Sequence, residues 1–197
     1  MPKPQTFKKW AQSVPSDFLF AVKGNRYVTH MKKLKIEKEE LNYFFEGVQE
    51  LGKKAGPVLF QLPPRWKVNA ERFERFLQLL PKGLRFTFEF RDPTWYRDEI
   101  YDLLNAHQCA FCIYELAGHR SPEKVTADFV YVRLHGPGNK YQGKYPLGTL
   151  KKWFRRCLKW RDQGKEVFIY FDNDQAGYAP ANATQLLGLL KDAPGVQ

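Results

Sequence analysis

The chain has 197 residues, of which 43% are hydrophobic and 16% aromatic, so it can bury one core and is not disordered as a whole. Its formal net charge of +11 favours anionic partners, such as nucleic acid or phosphorylated metabolites. Its apolar runs are too short to cross a bilayer and its N-terminus lacks the apolar stretch of a secretory signal, which predicts a cytoplasmic protein with no membrane contact.

Six apolar segments, rich in aromatic and branched residues, predict buried strands. They are residues 18–23, 58–62, 85–90, 110–115, 129–135 and 166–172. The amphipathic intervals predict helices over residues 37–51, 97–106, 150–162 and 181–190, and a further helix capped by Asn69 that ends before Pro81. The interval 116–128 contains Gly118, Ser121 and Pro122 and predicts a loop with at most a short turn. Alternating strands and helices indicate a parallel sheet, either open or closed into a barrel.

Polar residues on one face of the strands distinguish these two architectures. In residues 85–91, Thr87, Glu89 and Arg91 alternate with three phenylalanines, and in residues 129–135 Arg133 and His135 lie opposite apolar side chains. Each strand therefore ends with a polar residue on one face. A closed barrel explains this repetition because its strands converge on one mouth, where such barrels hold their active sites. We therefore predict one domain over residues 1–197, a TIM-type (β/α)8 barrel of which this chain supplies six of eight strand–helix units.

Several stretches resemble the YecE-like family (domain of unknown function seventy-two). They are residues 20–23 (FAVK), 27–31 (YVTHM), 61–64 (QLPP), 89–95 (EFRDPTW), 130–137 (VYVRLHGP) and 170–174 (YFDND), in the family's order along nearly the whole chain. The resemblance implies an eight-stranded barrel that binds something at its mouth, without an established reaction. Members of the family look as though they begin with two further strands. We therefore expect Met1 to be an internal methionine of a longer protein, and the first and last strands to be unpaired edges that favour self-association.

The charged strand ends predict a site for a small anionic, phosphorylated or sugar-like ligand. Lys23, Arg91 and Arg133 would neutralise the anion, while Glu89, His135 and Asp172 would move protons in acid–base catalysis. The remaining residues predicted to contact the ligand are His30, Gln61, Asn173 and Asp174. A buried structural network of ion pairs is the alternative interpretation, because such networks use the same residue types. The cofactor, if the reaction uses one, is unknown from the sequence.

Other patterns leave alternatives open. Glu89, His135, Asp172 and Asp174 have the hard oxygens that magnesium or manganese prefers, but no metal-binding spacing supports a metal site. Cys109 and Cys112 lie within an apolar run, which predicts buried thiols.

Basic segments suggest other functions. Residues 136–144 form a basic, glycine-rich loop that could hold phosphate or be an ordinary loop. The basic helix over 151–161 indicates either a nucleic-acid-binding module without catalysis or a merely solvated face. A third alternative is that the shortened chain is inactive.

Overall fold

The computed structural model describes residues 2–191, so Met1, on which the prediction of an internal start rests, and residues 192–197 lie outside it. The chain divides into two compact units, Met1–Cys109 (unit 1) and Ala110–Gln197 (unit 2). Each unit contains three parallel strands, and helices connect them except between the first two strands of unit 2. The predicted α/β fold with six parallel strands is therefore confirmed. The TIM-type assignment, the eight strand–helix units and the single domain remain predictions.

Unit 1 alternates helices and strands along the chain. Its elements are α1 (Pro4–Gln12), β1 (Phe20–Lys23), α2 (Lys38–Gln49), β2 (Ala55–Gln61), α3 (Ala70–Gln78), β3 (Phe86–Glu89) and α4 (Asp98–Ala106). One turn of π-helix spans Tyr27–Met31, and short 3-10 turns span Gly52–Lys54 and Pro93–Trp95. The parallel strand order is β1–β2–β3, with Lys23 opposite Leu59 and Gln61 opposite Glu89.

Aromatic side chains form the core of unit 1 on one face of β2 and β3. The fully buried ring of Phe60 lies 5.1 Å from that of Phe76 on α3 and 5.5 Å from that of Phe88 on β3. The ring of Phe44 on α2 lies 6.1 Å from the Phe60 ring. Since neighbouring residues of a strand point to opposite faces, this packing assigns Gln61, Thr87 and Glu89 to the other face of the sheet.

Unit 2 has the same parallel arrangement with one antiparallel addition. Its elements are β4 (Ala110–Leu116), β5 (His119–Arg120), β6 (Phe129–Leu134), α5 (Leu147–Asp162), β7 (Glu166–Phe171) and α6 (Tyr178–Lys191). The strands β4, β6 and β7 are parallel neighbours in that order, and a 3-10 turn spans Gln175–Gly177. On α5 the buried residues Leu150, Trp153, Cys157 and Trp160 share one face, while Lys151 and Lys152 are exposed.

The prediction of a loop over residues 116–128 was wrong in part, because β5 pairs there with the end of β4. Leu116 lies opposite His119, and the two residues between them, Ala117 and Gly118, have φ angles of 48° and 79°. Positive φ at both central positions is what a two-residue type I′ hairpin turn requires. Gly118, Ser121 and Pro122 predicted a loop, and alanine is an unusual residue at the first central position of such a turn, so the sequence carries no hairpin signal here.

Helix α1 was not predicted, because only Phe7 along it is buried and the chain shows no broad apolar stripe there. β1 begins at Phe20 rather than at residue 18. The backbone N–H of Phe18 donates to the carbonyl of Pro15, which places Phe18 in a turn before the strand pairing starts. The other strands and helices lie within a few residues of their predicted bounds, and the Asn69 side chain caps α3 by accepting from the Arg72 N–H.

The side chains of Cys109, Cys112 and Cys157 are buried, as the apolar surroundings of the first two predicted. Burial raises the pKa of Cys109 to about 12 and that of Cys157 to about 11. None of the helices between residues 2 and 191 is long and apolar enough to cross a membrane.

Replacing Phe60 by alanine should destabilise the protein strongly, because it leaves a cavity among the rings of three secondary-structure elements. We expect the free energy of unfolding to fall by about 3–5 kcal/mol, measured by urea denaturation. The matched control is Phe18→Ala, since Phe18 is 45% exposed and should contribute less than about 1 kcal/mol. Equal losses in both variants would show that the Phe60 cluster is not the core of unit 1.

Candidate functional site

The strand ends of unit 1 carry a continuous row of polar side chains, which we call the unit 1 row. Lys23 ends β1, and its ammonium group donates to Oε1 of Gln61 over 2.9 Å. Gln61 ends β2 and lies in register with Glu89, which ends β3. The guanidinium Nε of Arg91 donates to the Glu89 carboxylate. Four of the residues predicted to form the site therefore lie side by side along the carboxyl ends of three parallel strands.

The members of the unit 1 row differ in their access to solvent. Glu89 is 0% exposed and the Arg91 side chain only 7% exposed, so these two residues form a buried ion pair. Lys23 is exposed and Gln61 is half-buried. A ligand that reaches this row from solvent therefore meets Lys23 and Gln61 first. The predicted catalytic role of Glu89 requires its carboxylate to leave Arg91.

His30 lies in the π-helical turn that follows β1. The Asn25 side chain accepts from the Val28 N–H over 2.9 Å and fixes the start of this turn. Nδ1 of His30 lies 2.8 Å from Oγ1 of Thr29. Partial burial, together with the positive charges of Arg26 and Lys23, lowers the pKa of His30. His30 therefore belongs to the same end of unit 1 as Lys23, and its role in a ligand site stays a prediction.

Unit 2 brings together three of the predicted residues, Arg133, His135 and Asp172, which we call the unit 2 cluster. Oδ2 of Asp172 lies 3.1 Å from Nη2 of Arg133 and 3.5 Å from Nδ1 of His135. His135 is 0% exposed, the Arg133 side chain 11% and the Asp172 side chain 27%. The carboxylate is therefore the most accessible group of the cluster, and two nitrogen groups approach one of its oxygens.

The backbone of the adjoining strands fixes the unit 2 cluster. The N–H of His135 donates to the carbonyl of Glu115 over 3.0 Å, and the N–H of Asp172 donates to that of Leu134 over 2.8 Å. These bonds continue the parallel ladder one residue beyond β6 and β7. His135 and Asp172 are thus neighbours across the two strands, and because residues in register share a face of the sheet, their side chains meet.

Tyrosine rings line the same face below the unit 2 cluster. Arg133 lies in register between Tyr114 on β4 and Tyr170 on β7. The rings of Tyr131 and Tyr170 stack with centroids 5.0 Å apart. Burial raises the pKa of Tyr131, so its hydroxyl stays protonated and does not serve as a base near neutral pH. The tyrosines therefore form an uncharged aromatic surface beside Arg133.

The loop after β6 covers His135. The Tyr141 N–H donates to the carbonyl of His135 over 2.7 Å, and the two rings lie 5.4 Å apart at 73°. Gly136 has a φ of 111°, and a Cβ atom there would lie 2.2 Å from the carbonyl oxygen of Gln142. Only glycine fits that position. The loop that was predicted to be basic and flexible therefore folds back tightly at its start and encloses the imidazole.

Asn173 and Asp174 occupy different environments. Asn173 is fully buried, and its Nδ2 donates to the Gly143 carbonyl over 2.8 Å and to Oδ1 of Asn182 on α6 over 3.0 Å. Asn182 also bonds to the backbone of Tyr145 in both directions. Asn173 thus fastens the loop to α6, and its own Oδ1 accepts no hydrogen bond within the described part of the chain. Asp174 is exposed to solvent.

Glu115 and Tyr145 were not predicted as site residues, but both adjoin the cluster through hydrogen bonds to His135 and Gly136. Glu115 approaches Arg120 on β5 with an Oε1–Nε distance of 2.8 Å, and burial raises the pKa of Glu115. The hydroxyl of Tyr145 accepts from the Gly136 N–H over 3.0 Å. Glu115 was recognisable, because it closes a predicted strand with a charge. Tyr145 was not, because a tyrosine in a loop carries no signal of burial.

The sequence left open whether a metal ion binds to Glu89, His135, Asp172 and Asp174. Among residues 2–191, no group of three or more His, Cys, Asp or Glu side chains is arranged so that it could hold a metal ion. Glu89 lies in unit 1 and the other three residues lie in unit 2.

Comparison with known proteins identifies relatives over nearly the whole chain. A family model described as "Protein of unknown function DUF72" matches residues 1–196. The UPF0759 protein YunF of Bacillus subtilis (strain 168) is 23% identical, with 93% of this chain aligned to 77% of YunF. The name YecE-like, used above for the resemblance, is not the name of this relative.

Two solved structures have a similar fold. A DUF72 family protein from Thermotoga maritima MSB8 superposes with a TM-score of 0.85 at 26% identity, covering 98% of this chain and 81% of that chain. A DUF72 family protein from Enterococcus faecalis V583 superposes with a TM-score of 0.85 at 20% identity over the same shares of the two chains. The latter likeness concerns the fold alone.

The buried ion pair of the unit 1 row predicts a non-additive pair of substitutions. Arg91→Met alone removes the cation that pairs with the buried Glu89 carboxylate, so the free energy of unfolding should fall by about 3–5 kcal/mol. The double variant Glu89→Gln/Arg91→Met removes both charges and should recover most of that loss. Urea denaturation of the three proteins measures both effects. Additive losses would mean that the two side chains do not interact as a pair.

Proposed function

The chain belongs to the DUF72 family of proteins of unknown function, and from that starting point we propose that it binds a small anionic ligand at the carboxyl ends of its parallel strands and acts on it by acid–base chemistry. The substrate class that fits best is a phosphorylated or sugar-like metabolite. The observation that carries this proposal is the unit 2 cluster, in which Arg133 and His135 approach one oxygen of a carboxylate that solvent still reaches.

The three side chains of the unit 2 cluster suit different steps. Asp172 is the proton acceptor, because it is the most exposed of the three and can meet a ligand directly. Arg133 offsets the carboxylate charge and has further N–H groups for a ligand anion. His135 is a positioning residue, because it is fully buried and acts through Asp172. Asn173 and Asp174 complete this part of the site, Asn173 by holding the loop and Asp174 by its exposed charge.

The unit 1 row supplies the second part of the proposal. Lys23 and Gln61 are accessible and contact the anion, with His30 beside them. A ligand anion that draws Arg91 away from Glu89 would free this carboxylate to accept a proton. The proposal includes a closed eight-stranded barrel as the frame of both parts, and a cytoplasmic location. It also includes self-association, since β1 in unit 1 and β7 in unit 2 each have one described parallel neighbour within their own unit.

A nucleic-acid-binding module is the alternative proposal, and α5 is the observation that favours it. The exposed residues Lys151, Lys152 and Arg155 follow one another along this helix, opposite its buried face. Such a surface binds the phosphate backbone through charge alone. The unit 2 cluster plays no part in this alternative, which makes the two proposals separable by experiment.

A thermal-shift screen tests the leading proposal. We expect one or more sugar phosphates or small carboxylates to raise the midpoint of unfolding, because a ligand present at about 100 times its Kd adds about 2.7 kcal/mol to the free energy of unfolding. Arg133→Gln and Asp172→Asn should weaken this binding at least about tenfold, as expected for the loss of a charged hydrogen bond. Arg155→Gln and Asp162→Asn make the same chemical changes at exposed positions on α5 and should bind as the parent protein does.

Salt and α5 variants separate the two proposals. If α5 binds nucleic acid, a short oligonucleotide should bind with an affinity that falls steeply with salt, and Lys151→Gln/Lys152→Gln/Arg155→Gln should reduce the slope of log K against log salt by about 2–3. The leading proposal predicts that this triple variant keeps its response to the small ligand. Stabilisation by oligonucleotides alone, unaffected by Asp172→Asn, would reject the leading proposal.

A further inference from the structure

The turn that follows β1 gathers basic side chains at the end of the unit 1 row. Lys23 is the last residue of β1, and Arg26 immediately precedes the π-helical turn that contains His30. Arg26 already has helical backbone angles, with φ −66° and ψ −23°. The positive charge of Arg26 acts on the His30 imidazole, so the two side chains lie near each other at this turn. The fold thus places two permanent cations and a histidine at one strand end.

The hydrogen bonds of the turn indicate which nitrogen of the neutral His30 ring carries the proton. The hydroxyl of Thr29 donates its single proton to the carbonyl of Asn25 over 3.1 Å. Its oxygen therefore accepts from Nδ1–H of His30, at 2.8 Å. In the neutral ring this leaves Nε2 without a proton. Protonation of His30 turns Nε2 into a donor, and an anion that bound there would favour this form.

The charges around His30 are of one sign. Burial has the largest effect on the pKa of His30, and the charged groups that act on it are Arg26 and Lys23, both of which lower the pKa. No carboxylate is among them. Arg26 is exposed, and among residues 2–191 it makes no ion pair. Lys23 bonds to the neutral carboxamide of Gln61. Like charges held together in this way are stabilised when an anion binds between them.

We propose that Lys23, Arg26 and His30, with Gln61 beside Lys23, form an oxyanion site for a tetrahedral dianion, the phosphate or sulfate group of a ligand. This inference rests on the proposed function, because it names the group by which the small anionic ligand is held. Two permanent cations and a histidine that gains a proton complement the charge of a dianionic ligand group better than they complement the charge of a ligand carboxylate. Arg26 is thereby assigned to the ligand site, although no strand-end pattern marks it.

Sulfate titration followed by NMR of the histidine rings tests the site, since sulfate stays a dianion throughout the pH range of the experiment. We expect sulfate to raise the pKa of His30 above its value in chloride of the same ionic strength. The chloride series is essential because salt alone screens Arg26 and Lys23 and also raises this pKa. The ring signals of His107 in the same spectra give the internal reference. Equal titration curves of His30 in sulfate and chloride would overturn the proposal.

Two variants sharpen the test. Arg26→Gln should weaken sulfate binding about tenfold, as expected for the loss of one charged hydrogen bond. Lys53→Gln removes one positive charge from another exposed position of unit 1 and should leave the sulfate response unchanged. Sulfate binding that is equally tight in Arg26→Gln and in the parent protein would reject the assignment of Arg26.

The outcome is independent of catalysis. The titration needs no turnover, and all residues of the proposed oxyanion site lie in unit 1, whereas Asp172 lies in unit 2. Asp172→Asn should therefore keep the sulfate response of His30. A sulfate response without any effect of Asp172→Asn on the small-ligand screen would retain the oxyanion site and reject the acid–base role of the unit 2 cluster. Absence of the sulfate response, with the Arg133 and Asp172 effects intact, would reject the oxyanion site alone.

Discussion

The two-residue repeat of the strands is the constraint on which the rest of the structure depends. In β3, Phe86 and Phe88 pack against the rings of α2, α3 and β2, so Thr87 and Glu89 must lie on the other face. A slip of one residue would move Glu89 in among the phenylalanines, where an unpaired charge costs several kcal/mol. The aromatic packing of one face thus fixes the register of the polar residues on the other.

This constraint produces two different kinds of charged group at the strand ends. Glu89 and Arg91 satisfy each other inside unit 1 and are closed to solvent. Asp172 is held by Arg133 and His135 but remains partly open. A closed pair mainly orders its neighbours, whereas an open carboxylate with fixed partners is ready to meet a ligand. Burial, rather than residue type, therefore distinguishes the structural charges from those with which chemistry is proposed.

The sequence was sufficient to predict the six parallel strands and most of the helices, because both follow from apolar periodicity. It also predicted which strand ends carry Lys23, Gln61, Glu89, Arg133 and Asp172. The alternative interpretation, a buried network of ion pairs, already covered the pairing of Glu89 with Arg91. Two features were beyond the sequence. The burial of His135 under Tyr141 depends on side chains that meet only after folding. The type I′ turn at Ala117 follows from strand pairing that no local preference of alanine indicates.

Gly136 has a consequence at the level of the gene. Its φ of 111° and the contact of 2.2 Å that a Cβ atom would make with the Gln142 carbonyl leave no room for any other residue. Only third-base changes of a glycine codon are silent. Every change at the first or second base would disrupt the loop that covers His135, so the tolerated genetic variation at this codon should be confined to synonymous substitutions.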